Sequence, residues 1–497
     1  MPSNLEYFPI EGGLLKNTPL LEMPPGSFIE ASNVEMKMTG GVRRLLGYAK
    51  FDTNEVTGEG KILGVWYYGG KCYAFRNAVG GATAVMWESA GSGWTSKKTG
   101  LNPDGSYEFV TANIDGSASS KMYGVDGQNK AFEWDGTTWT DLTTGMSPDT
   151  PDHVIAHKNH LFLAFGPSLQ FSALGDPDTW SVVSGAGEMI TDTDISGMMQ
   201  VSGGDLTVLS RNSTMILKGS SSADFTAEYL VEHGNKIGAI PKSIQQLGSR
   251  LRYLDDRGVI DLATSDQYGD FVDASLSFQV DDIIQSKKDQ VTASCIVRDK
   301  SQYRLFFNDG TGLIFSYRGD EQTGITPMAF PDVVQCCASV EDTSGDEIIL
   351  FGSDDGYIYQ MESGNDFGGD NIVAYFRTAY SNYGELSRIK RYRRIKCNMK
   401  GAGSSTITVK ADATFADISE TSSLYKTISV TGESDVLGYG ALGSFILSTN
   451  YLIEGAADLN AHGDYISLQF YNSSTGESPW EIDGITAFYS TRRLRRG

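Results

Sequence analysis

Sulfur is scarce in this chain. Its 497 residues include five cysteines, Cys72, Cys295, Cys336, Cys337 and Cys397, and no two are spaced as C-x-x-C. Cys336 and Cys337 are adjacent, a poor geometry for an ordinary disulfide. The expectation is reduced, buried thiols made in a cytosol, with no metal set among them. Histidine is as sparse, with five in total and no H-E-x-x-H string. No apolar run approaches the ~20 residues that span a bilayer, so membrane insertion is not expected. The opening residues Met1 to Glu6 have neither a basic nor an apolar segment, and no secretion signal is expected. The phosphate loop G-x-x-x-x-G-K-[S/T], the nucleophile elbow G-x-S-x-G and a helix-opening G-x-G-x-x-G are all missing. Positive charge is in deficit, with 40 Lys and Arg against 62 Asp and Glu and a net charge of −22. A free protein this acidic is repelled by nucleic acid and anionic membranes.

Glycine is abundant instead, 57 against 14 prolines, with 24 tyrosines and 23 phenylalanines. No G-X-Y period runs through it, which excludes collagen. The glycines punctuate apolar-alternating runs, and the result is a hairpin that keeps returning. Copies include Lys71–Phe75 with Ala84–Trp87, Met122–Val125 with Ala131–Trp134, and His160–Phe165 with Leu169–Ser172. Further copies are Leu206–Ser210 with Thr214–Leu217, Leu251–Leu254 with Val259–Leu262, Tyr303–Phe307 with Gly312–Tyr317, and Glu347–Phe351 with Gly356–Gln360. Alternating runs joined by Asp, Asn or Gly turns predict antiparallel hairpins. From Met122 onward they begin about 40–50 residues apart, the length of a propeller blade. A four-stranded blade cannot bury both faces alone, and stacking blades around an axis solves that problem. The fold class expected is all-β, a propeller of about seven blades with an additional β-rich, platform-like domain. Helix is expected only in short turns, at Ile244–Leu247 and Phe278–Ile284.

The periodicity divides the chain into an extended arm over 1–55, a propeller over 56–365, and a C-terminal β-domain over 366–497. The arm, broken by Gly12-Gly13, Pro19, Pro24-Pro25 and Gly40-Gly41, either crosses the surface or pairs with the C-terminal domain. That domain opens with a basic strand or short helix, Arg388, Lys390, Arg391, Arg393, Arg394 and Lys396, and ends on Arg492, Arg493, Arg495 and Arg496. Such residues bind either phosphate backbone or the acidic surface of another subunit. In a chain of charge −22 the subunit or partner contact is the better reading.

Other constellations carry less. His153, His157 and His160 would converge on a helix, but their segment alternates as a strand and parts them. The pairs Asp255-Asp256, Asp281-Asp282 and Asp354-Asp355 sit where turns or strand ends are expected, and Asp in turns has a local hydrogen-bonding reason. Glycosidase chemistry would need two such carboxylates facing each other in a cleft. Asp192, Asp194, Ser196 and Gly197 copy the opening of a calcium loop, but Gly203 stands where the bidentate Glu belongs. No catalytic residue, metal ligand or cofactor is therefore expected.

Three passages resemble the tail hub, or nozzle, proteins of short-tailed (podovirus-type) bacteriophages. The first runs from Gly12-Gly13-Leu14 through Ala31-Ser32-Asn33-Val34 to Gly41-Val42-Arg43-Arg44 and Gly47-Tyr48, with Leu45 and Leu46 inserted before Gly47. The second is His160–Ala164 leading to Phe171-Ser172-Ala173-Leu174-Gly175-Asp176-Pro177-Asp178-Thr179-Trp180. The third joins Arg391–Lys396 to Trp480-Glu481-Ile482-Asp483-Gly484-Ile485. Together they touch under a third of the chain, in the expected order. The resemblance implies a virion tail protein assembled in host cytoplasm, a homo-oligomer of six copies below the head-to-tail adaptor and portal. It also implies tail needle or fibre proteins as neighbours, and genomic DNA passing through the ring channel without specific binding. An acidic wall suits such a conduit, because Lys and Arg on phosphates would hold the genome. The alternatives are a carbohydrate-binding or glycoside-hydrolysing propeller and an intracellular interaction platform. The carbohydrate reading requires carboxylates and tryptophans converging in one pocket.

Overall fold

The computed structural model describes residues 4–201, 204–229, 238–262, 275–383, 388–401, 404–413, 425–431, 453–474 and 476–494. Among the described residues, seven antiparallel sheets follow one another along the chain and form the blades of a propeller. Their innermost strands are Glu59–Tyr68, Glu108–Ala112, His153–His157, Ile195–Gln200, Gln245–Leu247, Val291–Val297 and Val334–Glu341. The last packs beside the first, so the ring is closed.

Each blade is buried on both faces, and strand alternation assigns its residues to one neighbour or the other. In Lys71–Asn77 of blade 1, Cys72 and Ala74 enter the core shared with blade 7, while Tyr73 and Phe75 enter the core shared with blade 2. This is why the hairpin strands read as nearly continuous apolar runs such as Leu161 to Phe165. Separate apolar cores fill the junctions from blade 7 round to blade 5. The core that includes the 5/6 and 6/7 junctions continues into the C-terminal domain without a break.

That domain is a sandwich. Its long sheet holds Ile453–Gly463, Arg388–Gly401, Trp480–Leu494, Val42–Arg44 and Val34–Met36, with Asn4–Pro9 paired to Trp480–Leu494. The companion sheet holds Phe28–Ser32, Ile372–Thr378, Ser467–Ser474, Ser404–Asp412 and Tyr425–Thr431. Trp480 from one sheet and Phe376 and Phe470 from the other meet between them. The sandwich rests on the outer strands of blade 6, away from the propeller axis.

The N-terminal segment enters both bodies. Gly12–Gly13 adds a short parallel strand to blade 6, and Tyr48–Lys50 supplies the outermost strand of blade 7. Between them, Phe28–Ser32, Val34–Met36 and Val42–Arg44 belong to the two sandwich sheets. The residues of the opening motif sit at the joints. Asn33 accepts from the Ala329 amide at 2.8 Å and donates to the Val373 carbonyl at 3.0 Å, tying blade 6 to the companion sheet. Arg44, fully buried, donates to the carbonyls of Asn365 and Glu477. Gly47 passes so close to Asp366 that a Cβ there would lie 1.9 Å from its carbonyl oxygen. Tyr48 stacks on Phe367 and meets Phe330, Phe351 and Tyr359 edge-on, and its hydroxyl donates to Asp332 at 2.7 Å.

Three sequence expectations change. In Ile244–Leu247, expected as a helical turn, Gln245–Leu247 is the inner strand of blade 5. Three residues are too few to show a period, and the ring geometry decides the matter. Asp281 and Asp282 open the helix Asp281–Lys287 rather than lying at a turn or strand end, where carboxylates favour the positive end of the helix dipole. Cys336 and Cys337 are only partly buried; Cys72, Cys295 and Cys397 are buried.

The deepest joint is ionic. Glu35, wholly buried in Val34–Met36, accepts from Arg43 at 2.5 and 2.8 Å, from Lys300 at 2.7 Å, from Gln302 at 3.0 Å and from Arg304 at 3.2 Å. Glu362, just past the last strand of blade 7, shares Lys300 and Arg304. Burial alone would raise the Glu35 pKa, but Lys300, Arg43 and Arg304 outweigh it and hold it at about 2. A folded-state pKa below the unfolded one adds stability above the ordinary carboxylate range, lost as pH falls toward 2, on the order of 3 kcal/mol. Removing one partner of a buried ion cluster typically costs ~3–5 kcal/mol. Glu35→Gln is therefore expected to lower the urea midpoint at pH 7, and to flatten the loss of stability between pH 5 and pH 3 (roughly the window of a depressed carboxylate). Urea melts of both chains across that range check it.

Candidate functional site

Two features stand out as places where chemistry or binding can occur. One is the axial cavity of the propeller, about 1390 Å³ and lined by the seven inner strands. That exceeds the ~300–1,000 Å³ of a typical small-molecule pocket. Blades 1 and 2 give it an aromatic side, with Trp66, Tyr68, Tyr107 and Phe109, and Trp66 donates to the Thr111 hydroxyl at 2.9 Å. Its carboxylates are largely occupied. Asp126 caps the backbone of Gln128 and Asn129, Asp135 that of Thr137 and Thr138, and Asp342 that of Ser344 and Asp346. Glu341 holds Arg298 at 2.6 Å. Trp66 is the one tryptophan among the lining residues.

The cavity's most distinctive pair joins blades 2, 3 and 4. His153 Nδ1 lies 2.7 Å from a Glu108 carboxylate oxygen, and Nε2 lies 3.1 Å from the Ile195 carbonyl. Burial disfavours the charged ring, but Glu108 outweighs it and the His153 pKa is raised. The other two histidines of the sequence triplet diverge. His157 and His160 face each other across the hairpin, His160 bonds the Ser172 carbonyl at 2.6 Å, and burial with nearby Lys158 pushes His157 down to about 4. Lys242, also in the lining, has its amine pKa lowered by burial and by Lys61.

The acidic pairs singled out in the sequence lie elsewhere. Asp354 accepts from Ser353 and the Val333 amide, and Asp355 from the Tyr357 amide and the Tyr359 hydroxyl. Asp255 pairs with Arg257, and Asp256 with Arg211 and Lys288. Asp192 and Asp194 lie in the turn between Gly187–Ile190 and Ile195–Gln200. In the second motif, Asp176 bonds the Asp178 amide and the Thr179 hydroxyl, a local turn.

The second feature is the outward face of the long sandwich sheet. The basic stretch lies on the single strand Arg388–Gly401. Lys390 and Tyr392 point to the buried side, so Lys390, fully buried, presents no surface amine. A register shift between Tyr392 and Arg394 leaves both Arg393 and Arg394 exposed before Ile395, Cys397 and Met399 resume the core face. Arg391, Arg393, Arg394, Lys396 and Lys400 thus form one outward row, with Arg388 exposed at its start. Arg391 bonds Asn460 and Arg394 pairs with Asp458 at 2.6 Å. Both members of that ion pair are about half exposed or more, and such pairs contribute only ~0–1 kcal/mol. Lys396 lies over the Phe488 ring. Across Trp480–Leu494 from the row, the edge strand Asn4–Pro9 exposes Leu5 and Tyr7. Arg492 and Arg493 belong to Trp480–Leu494, whereas Arg495 and Arg496 lie outside the described residues.

Sequence reasoning missed the Glu35 cluster. Its signal was present in Arg304, a cation interrupting the otherwise apolar strand Gln302–Phe307, and in Lys300 of the preceding turn, but their partner Glu35 lies far away in the chain.

No family model matches the chain, and no curated protein does. Among solved structures it is similar to virginiamycin B lyase from Staphylococcus aureus, 10% identical over 62% of this chain and 96% of that one, with a TM-score of 0.41. It is also similar to U3-55K, 9% identical over 63% of this chain and 99% of that one, with a TM-score of 0.40. Neither likeness bears on activity, and the propeller rests on the sheet topology above.

The Glu108 contact accounts for the raised His153 pKa, so Glu108→Gln is expected to lower it. A proton NMR titration of His153 reads this directly, and an unchanged midpoint would contradict the assignment.

Proposed function

We propose that the chain is a structural, non-catalytic subunit of a short-tailed bacteriophage tail nozzle. Six copies close into a ring below the portal and adaptor, and the genome leaves through the channel between them. The observation that carries this reading is the outward basic row Arg391, Arg393, Arg394, Lys396 and Lys400 on a protein of net charge −22. This row, in which Arg394 and Lys400 also pair with Asp458 and Asp483 on their own sheet, is complementary to the acidic surface of the next copy. Such a head-to-tail contact, repeated around an axis, closes a ring, and charge complementarity sets its register. The apolar Leu5 and Tyr7 on the edge strand beyond Trp480–Leu494 add contact area to the same face. The motif residues Asn33, Arg44, Gly47 and Tyr48 support the reading by holding the platform and the propeller together. The chain's acidity keeps passing DNA from being gripped. Tail needle or fibre proteins and the adaptor are the partners at the two ends, in a virion assembled in host cytoplasm.

Native mass measurement of the chain, alone and with the proteins encoded beside it, tests this. The expected species is a closed ring of six, and Arg391→Glu with Arg394→Glu is expected to abolish it while leaving the fold intact by circular dichroism. A strict monomer within assembled particles would overturn the proposal.

A further inference from the structure

The junction of blades 6 and 7 contains two cysteines in the cavity wall that the proposed function does not use. Cys295 lies on the inner strand of blade 6, and Cys337 on the inner strand of blade 7. Their orientation follows from their neighbours. Ser294 donates to the Lys242 carbonyl at 2.6 Å and its own carbonyl accepts from Gln245, so Ser294 faces blade 5. Alternation then turns Cys295 toward blade 7. Cys336 packs with Ile62, Val65 and Cys72 in the core shared with blade 1, so Cys337 is turned toward blade 6. Two contacts fix the register of the two strands. The Thr292 hydroxyl donates to the Val334 carbonyl at 2.6 Å, and Arg298 reaches Glu341 at 2.6 Å. Cys295 and Cys337 lie between these contacts, each three residues past the first of them on its own strand. Cys295 belongs to the apolar core that fills this junction and Cys337 packs against it; neighbouring Cys295 and burial raise the Cys337 pKa well above the ordinary range.

We propose that Cys295 and Cys337 form an oxidisable thiol pair, a staple that a thiol oxidant closes into a disulfide across the junction of blades 6 and 7. Both residues line the axial cavity, and Cys337 is the more open of the two, so the oxidant meets it first. With a low-molecular-weight disulfide as oxidant, the Cys337 thiolate displaces one thiol and forms a mixed disulfide. The Cys295 thiolate then attacks the Cys337 sulfur and releases the second thiol. One S–S bond forms, two protons leave the protein, and two electrons reduce the oxidant. The raised Cys337 pKa keeps its thiolate fraction low, so the pair closes slowly and stays open in a reducing cytosol. Closure ties the two blades together at their inner strands, while Tyr48–Lys50 lies on the outer edge of blade 7.

The test is native oxidation of the full chain with diamide, whose N=N bond takes up the two electrons and two protons and becomes a hydrazine. Free thiols are then alkylated in denaturant and the peptides mapped. The expected product links the Cys295 peptide to the peptide containing Cys336 and Cys337, while Cys397, buried in the sandwich, is recovered alkylated. Cys336→Ser is expected to keep the link, and Cys337→Ser and Cys295→Ser to abolish it. Recovery of Cys295 and Cys337 as alkylated thiols in the unmodified chain would overturn the proposal. So would a link that passes through Cys336 to Cys72. The unmodified chain decides the matter by itself if a variant does not fold.

Discussion

Glu35 is the constraint on which the rest of the structure depends. A carboxylate with no exposure to water is unfavourable in isolation, and it persists here because cations from two bodies surround it. Arg43 belongs to the same sandwich sheet as Glu35, while Lys300 and Arg304 belong to blade 6, and Glu362 brings in blade 7. No arrangement in which the sandwich separates from the propeller satisfies this cluster. Apolar burial follows the same line, because the core of blades 5 to 7 runs into the sandwich. The ionic cluster gives that apolar contact a unique register, which hydrophobic surface alone specifies poorly.

The N-terminal segment makes this union possible. It visits the long sheet, blade 6, the companion sheet, the long sheet again and finally blade 7. The strand that closes the propeller therefore comes from the same segment that builds the sandwich. Such pairing between distant parts of a chain is slow to form, because loop closure precedes its reward. The propeller and its platform are in this sense one folding problem.

Much of the propeller was legible in the sequence, for a physical reason. Blades buried on both faces write long apolar strands, and tight hairpins write Gly, Asn and Asp between them, as in Met122–Val125, Asp126 to Asn129 and Ala131–Trp134. What stayed hidden were elements set by distant partners. Tyr48–Lys50 is three residues long and has meaning only beside Ile358–Met361. Gln245–Leu247 is as short, and its polar sequence has no period. In the candidate site, the basic stretch was visible as composition, but the outward row was not. The register shift at Tyr392 decides that Arg393 and Arg394 share a face and that Lys390 turns inward. The His153–Glu108 pair required knowing which strands line the axis.

The proposed ring asks the subunit to be rigid across its two bodies, since a contact made by the sandwich must place the propeller at a fixed angle. The central claim is thus that platform and propeller unfold together. Differential scanning calorimetry of the isolated chain at neutral pH tests it most directly. A single cooperative transition, with calorimetric and van't Hoff enthalpies in agreement, is the predicted result. Two resolved transitions, one for the sandwich and one for the propeller, would contradict it.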